Sequence, residues 1–283
     1  MNNAPPWAAK IPSLPLKCAL SIATSDSGSG AGLQADLKTF AAHRVYGLSV
    51  LSAVTAQNTL AVTAQDCLDP QMVTAQMQAI YDDIPVVAIK IGLLGNAANT
   101  GRVADFINRN WAGIPVILDP VMVSSSGHTF LAREAVAALK ELMALAMVVT
   151  PNLPEAEALA GRPIRGHDQL REAARVILKT GARHVLIKGG HGHDQTSDDF
   201  LLGPEGENWF RGSRVATLNN HGTGCTLSSA ICANLALGLS LNLAVKKAKD
   251  YVTEGLRQSI SLGHGPGPLN HFYQHYHFES SDQ

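Results

Sequence analysis

From Cys18 onward, short apolar runs alternate with longer stretches of helical periodicity, which confines the chain to an α/β fold with a mostly parallel sheet covered by helices. The runs read as strands are Ala19–Thr24, Leu48–Val54, Val86–Ile91, Val116–Asp119, Met147–Thr150 and His184–Lys188. Asp69-Pro70 places a cap and a first-turn proline ahead of a helix over Gln71–Tyr81. Asp168 precedes a run in which Leu170, Ala174, Ile177 and Leu178 share one helical face. Near Ser197–Arg211 two β-like runs flank Gly203-Pro204-Glu205-Gly206, the pattern of an antiparallel hairpin at a sheet edge. No repeat or Pro/Gly/Ser-rich linker divides this body, so one domain is expected over residues 18–278, behind a mobile leader at 1–17 and ahead of a tail at 279–283.

With 46% hydrophobic and only 16% charged residues, the chain is no disordered segment. Lys+Arg 22 against Asp+Glu 23 gives a net charge of -1 and no field to draw in nucleic acid. Cys18, Cys67, Cys225 and Cys232 stand far apart without a C-x-x-C pair, which suggests neither a zinc ribbon nor a disulfide framework and fits a reducing, cytoplasmic setting. The uncharged stretch Thr226–Val245 is interrupted by Ser228, Ser229, Asn234 and Asn242, so it reads as a buried helix and not a membrane span.

Four segments can carry chemistry. Thr24 to Gly32, with Gly28, Gly30 and Gly32, forms a glycine-rich turn between a strand and a helix, where backbone can approach a ligand and helix-start N–H groups are expected to be open. Leu33 stands where the dinucleotide fingerprint needs its third glycine, and a ligand-free tight connection explains the turn equally well. Asn219 to Thr226 flanks a second helix start with glycines, a place suited to phosphate. A thiol in that first turn, Cys225, is expected to have a depressed pKa, against the plainer reading of a small buried hydrophobe. In Thr150-Pro151-Asn152-Leu153-Pro154-Glu155, Asn152 and Glu155 have the spacing of a capping box, and also that of groups placed for nucleotide phosphates and Mg²⁺-bound water. Lys188 ends an apolar strand, where ligands of open α/β sheets collect. His191 and His193 read as loop histidines, and His264, His271, His275 and His277 lack the acid or cysteine that would complete a familiar metal set.

Taken in order, "SGAGLQADLKTF", "YGLSV", "TAQNT", "KIGLL", "LDPVMV", "TPNLPEAEAL", "IKGGH", "HGTGCTLS" and "GHGPGPLNHF" resemble the ribokinase-like superfamily, and within it the bacterial hydroxymethylpyrimidine/phosphomethylpyrimidine kinases of thiamine biosynthesis. The resemblance implies a three-layer α/β/α sandwich, ATP and Mg²⁺ as cofactors, a pyrimidine alcohol or its monophosphate as acceptor, and a homodimer. It also implies that Asp36 and Gln57 contact the pyrimidine, with Thr24, Gly92 and Val121 around it. Gly222, Thr223, Gly224 and Cys225 would form the anion hole, with Cys225 as base; Lys188, Asn152 and Thr223 would meet the nucleotide, and Glu155 and Asp119 would organise Mg²⁺. The chain departs from the family pattern at Thr24 and Ser29, where glycine is usual, and at Ser124-Ser125-Ser126-Gly127-His128, where a lysine and an aspartate are usual. A pyridoxal or pyridoxine kinase is the same-fold alternative, and a catalytically silent pyrimidine-binding protein the alternative of another class.

Overall fold

A computed structural model describes residues 16–121, 133–191 and 196–276. The leader up to residue 15, the Ser124–His128 loop, His193, His277 and the tail lie outside the described residues. Among those described, strands β1 (Cys18–Asp26), β2 (Tyr46–Gln57), β3 (Val62–Cys67), β4 (Ala88–Ile91), β5 (Val116–Leu118), β6 (Val148–Val149), β7 (His184–Ile187), β8 (Asp199–Gly203) and β9 (Gly206–Phe210) form one sheet in the order β3-β2-β1-β4-β5-β6-β7-β8-β9. From β2 to β7 all neighbours are parallel, and β3, β8 and β9 add antiparallel edges. The six expected parallel strands and the hairpin are present. The sequence reading did not include β3, because an edge strand reading V-T-A-Q-D-C has exposed and half-exposed positions throughout and so carries no apolar run.

Side-chain alternation sends each central strand to two cores. On one face Ala19, Ala88, Ile117, Val148 and Leu186 meet α1 (Gly32–Ala42), α7 (Thr223–Ala236) and α8 (Leu241–Arg257). On the other, Leu20, Ile22, Ile89, Ile91, Leu118, Val149 and Val185 meet α2 (Pro70–Asp83), α3 (Ala97–Asn110), α4 (Arg133–Ala144), α5 (Leu153–Ala160) and α6 (His167–Leu178). The result is the ribokinase-like α/β/α sandwich. Asp69 caps α2 as expected, accepting from Gln71 N at 2.7 Å. The cap of α6 is Gly166, and Asp168 sits inside the first turn, where its charge faces the positive helix end.

α7 is buried almost all round, with Thr226, Ser228, Ser229, Ala230, Cys232 and Ala233 inside. Small residues opposite it, Ala19, Ser21 and Ala88, let the helix lie close against the sheet. The uncharged stretch Thr226–Val245 is not one buried helix: α7 ends at Ala236, Gly238 turns at φ 85 and α8 begins at Leu241, and no helix of the described residues is long and apolar enough to cross a membrane.

Candidate active site

The parallel strands end on one side of the molecule, and there a cleft of ≈ 890 Å³ opens, lined from successive strand ends by Thr24, Gln57, Asp119, Asn152 and Lys188. The start of α7 closes it. Gly222, the N-cap, has φ 79, and a Cβ on it would stand 1.8 Å from Gly30 O, so only glycine joins the two turns this closely. The N–H groups of Gly222, Gly224 and Cys225 have no acceptor within the helix by its geometry. Thr223 differs: its hydroxyl donates to Asn220 O at 2.6 Å and its amide to the same oxygen at 3.3 Å, so its amide is committed to the turn.

Cys225 corrects the expectation of a depressed pKa. Burial pushes the thiol up to about 11; Lys90 and the N–H of Gly32 pull it down, but Asp36 and Asp119 add to the rise. The thiol is therefore protonated at neutral pH.

Lys188 and Asp119 form an ion pair, Nζ to Oδ1 at 2.8 Å, beside the α7 start; a Cβ on Gly224 would stand 3.2 Å from Lys188 Nζ and 3.5 Å from Asp119 Oδ2. Burial alone would lower the Lys188 pKa, but Asp119 and then Glu155 outweigh it and raise it. Asp119 also accepts from Thr150 Oγ1 at 3.2 Å and Ser228 Oγ at 3.4 Å, which fixes its carboxylate between β5, β6 and α7. Asn152 and Glu155 do form the capping box of α5, with Glu155 N to Asn152 Oδ1 at 2.9 Å and Asn152 N to Glu155 Oε2 at 2.8 Å. Both line the cleft all the same. A second cation, Lys249, reaches the cleft from α8, donating to Ser197 O and to Asp199 Oδ2 at 2.8 Å.

The first glycine turn is not open. Asp26 accepts from Gly28 N at 2.8 Å, Gly30 N at 3.1 Å and Ala31 N at 2.8 Å, so the turn's amides hold the chain's own carboxylate. Burial works against that charge, yet the His221 hydrogen bond and the amides hold its carboxyl below the usual carboxylate range. His221 Nε2 lies 2.9 Å from Asp26 Oδ2 and 3.3 Å from the Gln57 carboxamide, tying both glycine turns to Gln57. Ser29 sits at φ 60, the left-handed region, which accounts physically for the glycine usual at that position.

Asp36 is not at the cleft wall. It is fully buried, its carboxylate taken by Lys90 Nζ at 2.7 and 2.9 Å, Ser21 Oγ at 2.5 Å and Ser229 Oγ at 2.6 Å. With three donors already making four contacts to two oxygens, no direct pyrimidine contact is left to it. Gly92 also lies behind the wall, where a Cβ would stand 2.8 Å from Lys90 Nζ, so the glycine makes room for that lysine. Thr24 and Val121 line the cleft, and Thr24 Oγ1 donates to Leu93 O at 2.9 Å. Sequence reasoning missed Asp26, Lys90, His221 and Lys249. Lys90 did carry a signal, a charge inside the apolar strand "AIKI".

His271 is a core histidine, its Nε2 3.0 Å from Thr226 Oγ1 and its pKa lowered to about 3 by burial, with Lys38 adding to the effect. Among the described residues no three His, Cys, Asp or Glu side chains gather to hold a metal ion.

Residues 26–270 match the family model described as phosphomethylpyrimidine kinase. The chain is 47% identical over 262 residues to the hydroxymethylpyrimidine/phosphomethylpyrimidine kinase of Rhizobium meliloti, covering 90% of this chain and 97% of that protein. The crystal structure of phosphomethylpyrimidine kinase from Clostridium difficile superposes with a TM-score of 0.75 at 39% identity, over 84% of this chain and 98% of that one. An ADP complex of Bacillus subtilis pyridoxal kinase gives 0.84 at 35% identity, over 90% and 97%. Matched along most of its length, the chain is a phosphotransferase and belongs to the phosphomethylpyrimidine kinase family.

Proposed function

We propose that the protein transfers the γ-phosphoryl group of ATP to 4-amino-5-hydroxymethyl-2-methylpyrimidine and then to its monophosphate. The observation that carries this reading is the placing of Lys188–Asp119 against the N–H groups of Gly222, Gly224 and Cys225, in one cleft with Gln57. Gln57 and His221 stand on the glycine-turn side of the α7 start, which makes that end the acceptor pocket. Asn152, Ala158, Ser213–Thr217 and Leu256 line the cleft beyond Lys188, and this end takes the nucleotide. Charge developing on the transferred phosphoryl group meets the helix-start N–H groups and Lys188 between the two ends.

Asp119 and Glu155 suit a magnesium ion that arrives with nucleotide phosphates and keeps water in its shell, since Mg²⁺ seldom needs more than one or two carboxylates. Held there, it would supply neutralisation of phosphate charge. For the alcohol acceptor, the departing proton goes to the thiolate form of Cys225, a small fraction at neutral pH that grows as pH rises. The monophosphate needs no such base, its second pKa being ~6.

Product analysis after incubation with MgATP tests the reading. ADP release coupled to mono- and diphosphate formation from the pyrimidine alcohol is the expected result. Pyridoxal is the comparison acceptor, because a pyridoxal kinase superposes so well; faster turnover of pyridoxal, or pyrimidine binding without ADP release, would overturn it.

We also assign a homodimer built on the edge of β3, beside which Val54 of β2 and Leu60 of the β2–β3 turn are exposed large hydrophobics. Sedimentation velocity would show twice the 29.9 kDa chain mass; a single monomeric species at micromolar concentration would refute it.

A further inference from the structure

On the reading above Gln57 faces the pyrimidine, yet a glutamine alone does not distinguish a 4-aminopyrimidine from its 4-oxo counterpart. Its carboxamide offers one acceptor beside one donor. In one orientation it pairs with an amino group and the adjacent ring nitrogen; rotated by half a turn, it pairs with a carbonyl and the adjacent ring N–H. Selection requires that this rotation be blocked.

The surroundings of Gln57 block it. The residue follows a register shift between Ala56 and Gln57 in the β2–β3 pair, where Thr63 is the extra residue on the β3 side. Its backbone is gripped by Ser27, whose Oγ accepts from Gln57 N and donates to Gln57 O, both at 2.7 Å. One end of the carboxamide lies 3.3 Å from Thr55 Oγ1. That hydroxyl has a single proton and a closer acceptor, Ser25 O at 2.9 Å, so it turns a lone pair toward Gln57. The other end lies 3.3 Å from His221 Nε2. This ring nitrogen is 2.9 Å from Asp26 Oδ2, a carboxylate already receiving three backbone N–H groups, so a proton stands between them and Nε2 has no lone pair for Gln57.

With Oε1 toward Thr55 and Nε2 toward His221, each end of the carboxamide would meet a group of its own kind. The two positions are told apart by their partners: Thr55 offers a lone pair that only the NH₂ group can use, and the interchange lets Oε1 share the Nε2 proton that His221 directs at Asp26, where an NH₂ group would find no acceptor. We infer that Thr55 and His221 lock the Gln57 carboxamide with its oxygen toward His221 and its NH₂ toward Thr55, so that the cleft reads the donor and acceptor of the 4-aminopyrimidine edge in one order only. The ring does not compensate by turning over, because its hydroxymethyl group must point at the Gly222–Cys225 turn. Thr55 and His221 are thus positioning residues that determine specificity through Gln57.

The test compares kcat/KM for the 4-amino alcohol and for 5-hydroxymethyl-2-methylpyrimidin-4-one, its 4-oxo analogue, with dissociation constants of both by calorimetry. The wild type is expected to favour the amino compound at least about a hundredfold, inside the ~10⁴–10⁵ by which a site built to hydrogen-bond a polar group can reject its mismatch. Thr55→Val and His221→Leu should each lower that preference about tenfold, the effect of one unmade hydrogen bond. Thr55→Ser and His221→Gln, which keep the lone pair and the N–H, should restore it. Because the preference is a ratio within one variant, loss of folded protein cancels. Variants that weaken both ligands equally and keep the ratio would overturn the lock while leaving the functional reading intact. A wild type that phosphorylates neither alcohol would bring down that reading, and the lock with it.

Discussion

Replacing Lys90 with methionine should destabilise the protein by about 3–5 kcal/mol, because it strands the carboxylate of Asp36 in the core. The side chains of both residues are 0% exposed. Burial alone would strip the Lys90 proton, but Asp36, with Cys225 and Asp119 beyond it, raises the lysine pKa above its ordinary value. The pair joins α1 to β4, and Ser21 and Ser229 extend it to β1 and α7. Urea unfolding of the variant measures the loss, and thermal unfolding should fall by on the order of 10 °C. Adding Asp36→Asn should recover most of the loss, since a neutral amide no longer leaves a buried charge and still offers an acceptor to a serine. A single variant as stable as wild type would show that Asp36 picks up a proton at little cost, and the ion pair would then not be what holds α7 in place.

Cys225→Ala should lower turnover of the pyrimidine alcohol by about 10²–10⁴, the usual contribution of a general base, and that of the monophosphate only a few-fold. The pH dependence carries the sign. With the thiol pushed up to about 11, the thiolate fraction grows tenfold per pH unit below that value, so wild-type kcat/KM for the alcohol should climb from pH 7 to pH 10. The monophosphate step should be level there, its acceptor having ionised near ~6. In Cys225→Ala the climb should disappear. Equal losses in both steps, or a flat wild-type profile, would remove Cys225 as the base and leave it as packing at the α7 start.

The parallel strands and the hairpin were legible because buried strands announce themselves as apolar runs, and Lys188 because it ends a strand where ligands collect; Asp119 and Gln57, which also line the cleft, were reached only through the family resemblance. The capping reading of Asn152 and Glu155 held together with their place on the cleft wall. Asp36 was misplaced for a physical reason. Sequence shows that a carboxylate stands on a helix facing the sheet, but not that Lys90 rises from the strand beneath to meet it. Partners 54 residues apart leave no periodicity to read. The same holds for Asp26 and His221, 195 residues apart. The Cys225 pKa was misjudged because a helix start argues for thiolate, while the depth of the site and two nearby carboxylates, visible only in three dimensions, argue against it.

Asp26 gives the molecule an economy of its own. Of two look-alike glycine hooks facing one another across Gly30 and Gly222, one arrives already filled by an anion that the chain itself supplies. A bisubstrate inhibitor drawn with an acidic group for each hook would find the second occupied and would be repelled from it. The productive anchors for such a molecule are therefore one anion at the start of α7 and an uncharged, edge-reading group beside Gln57.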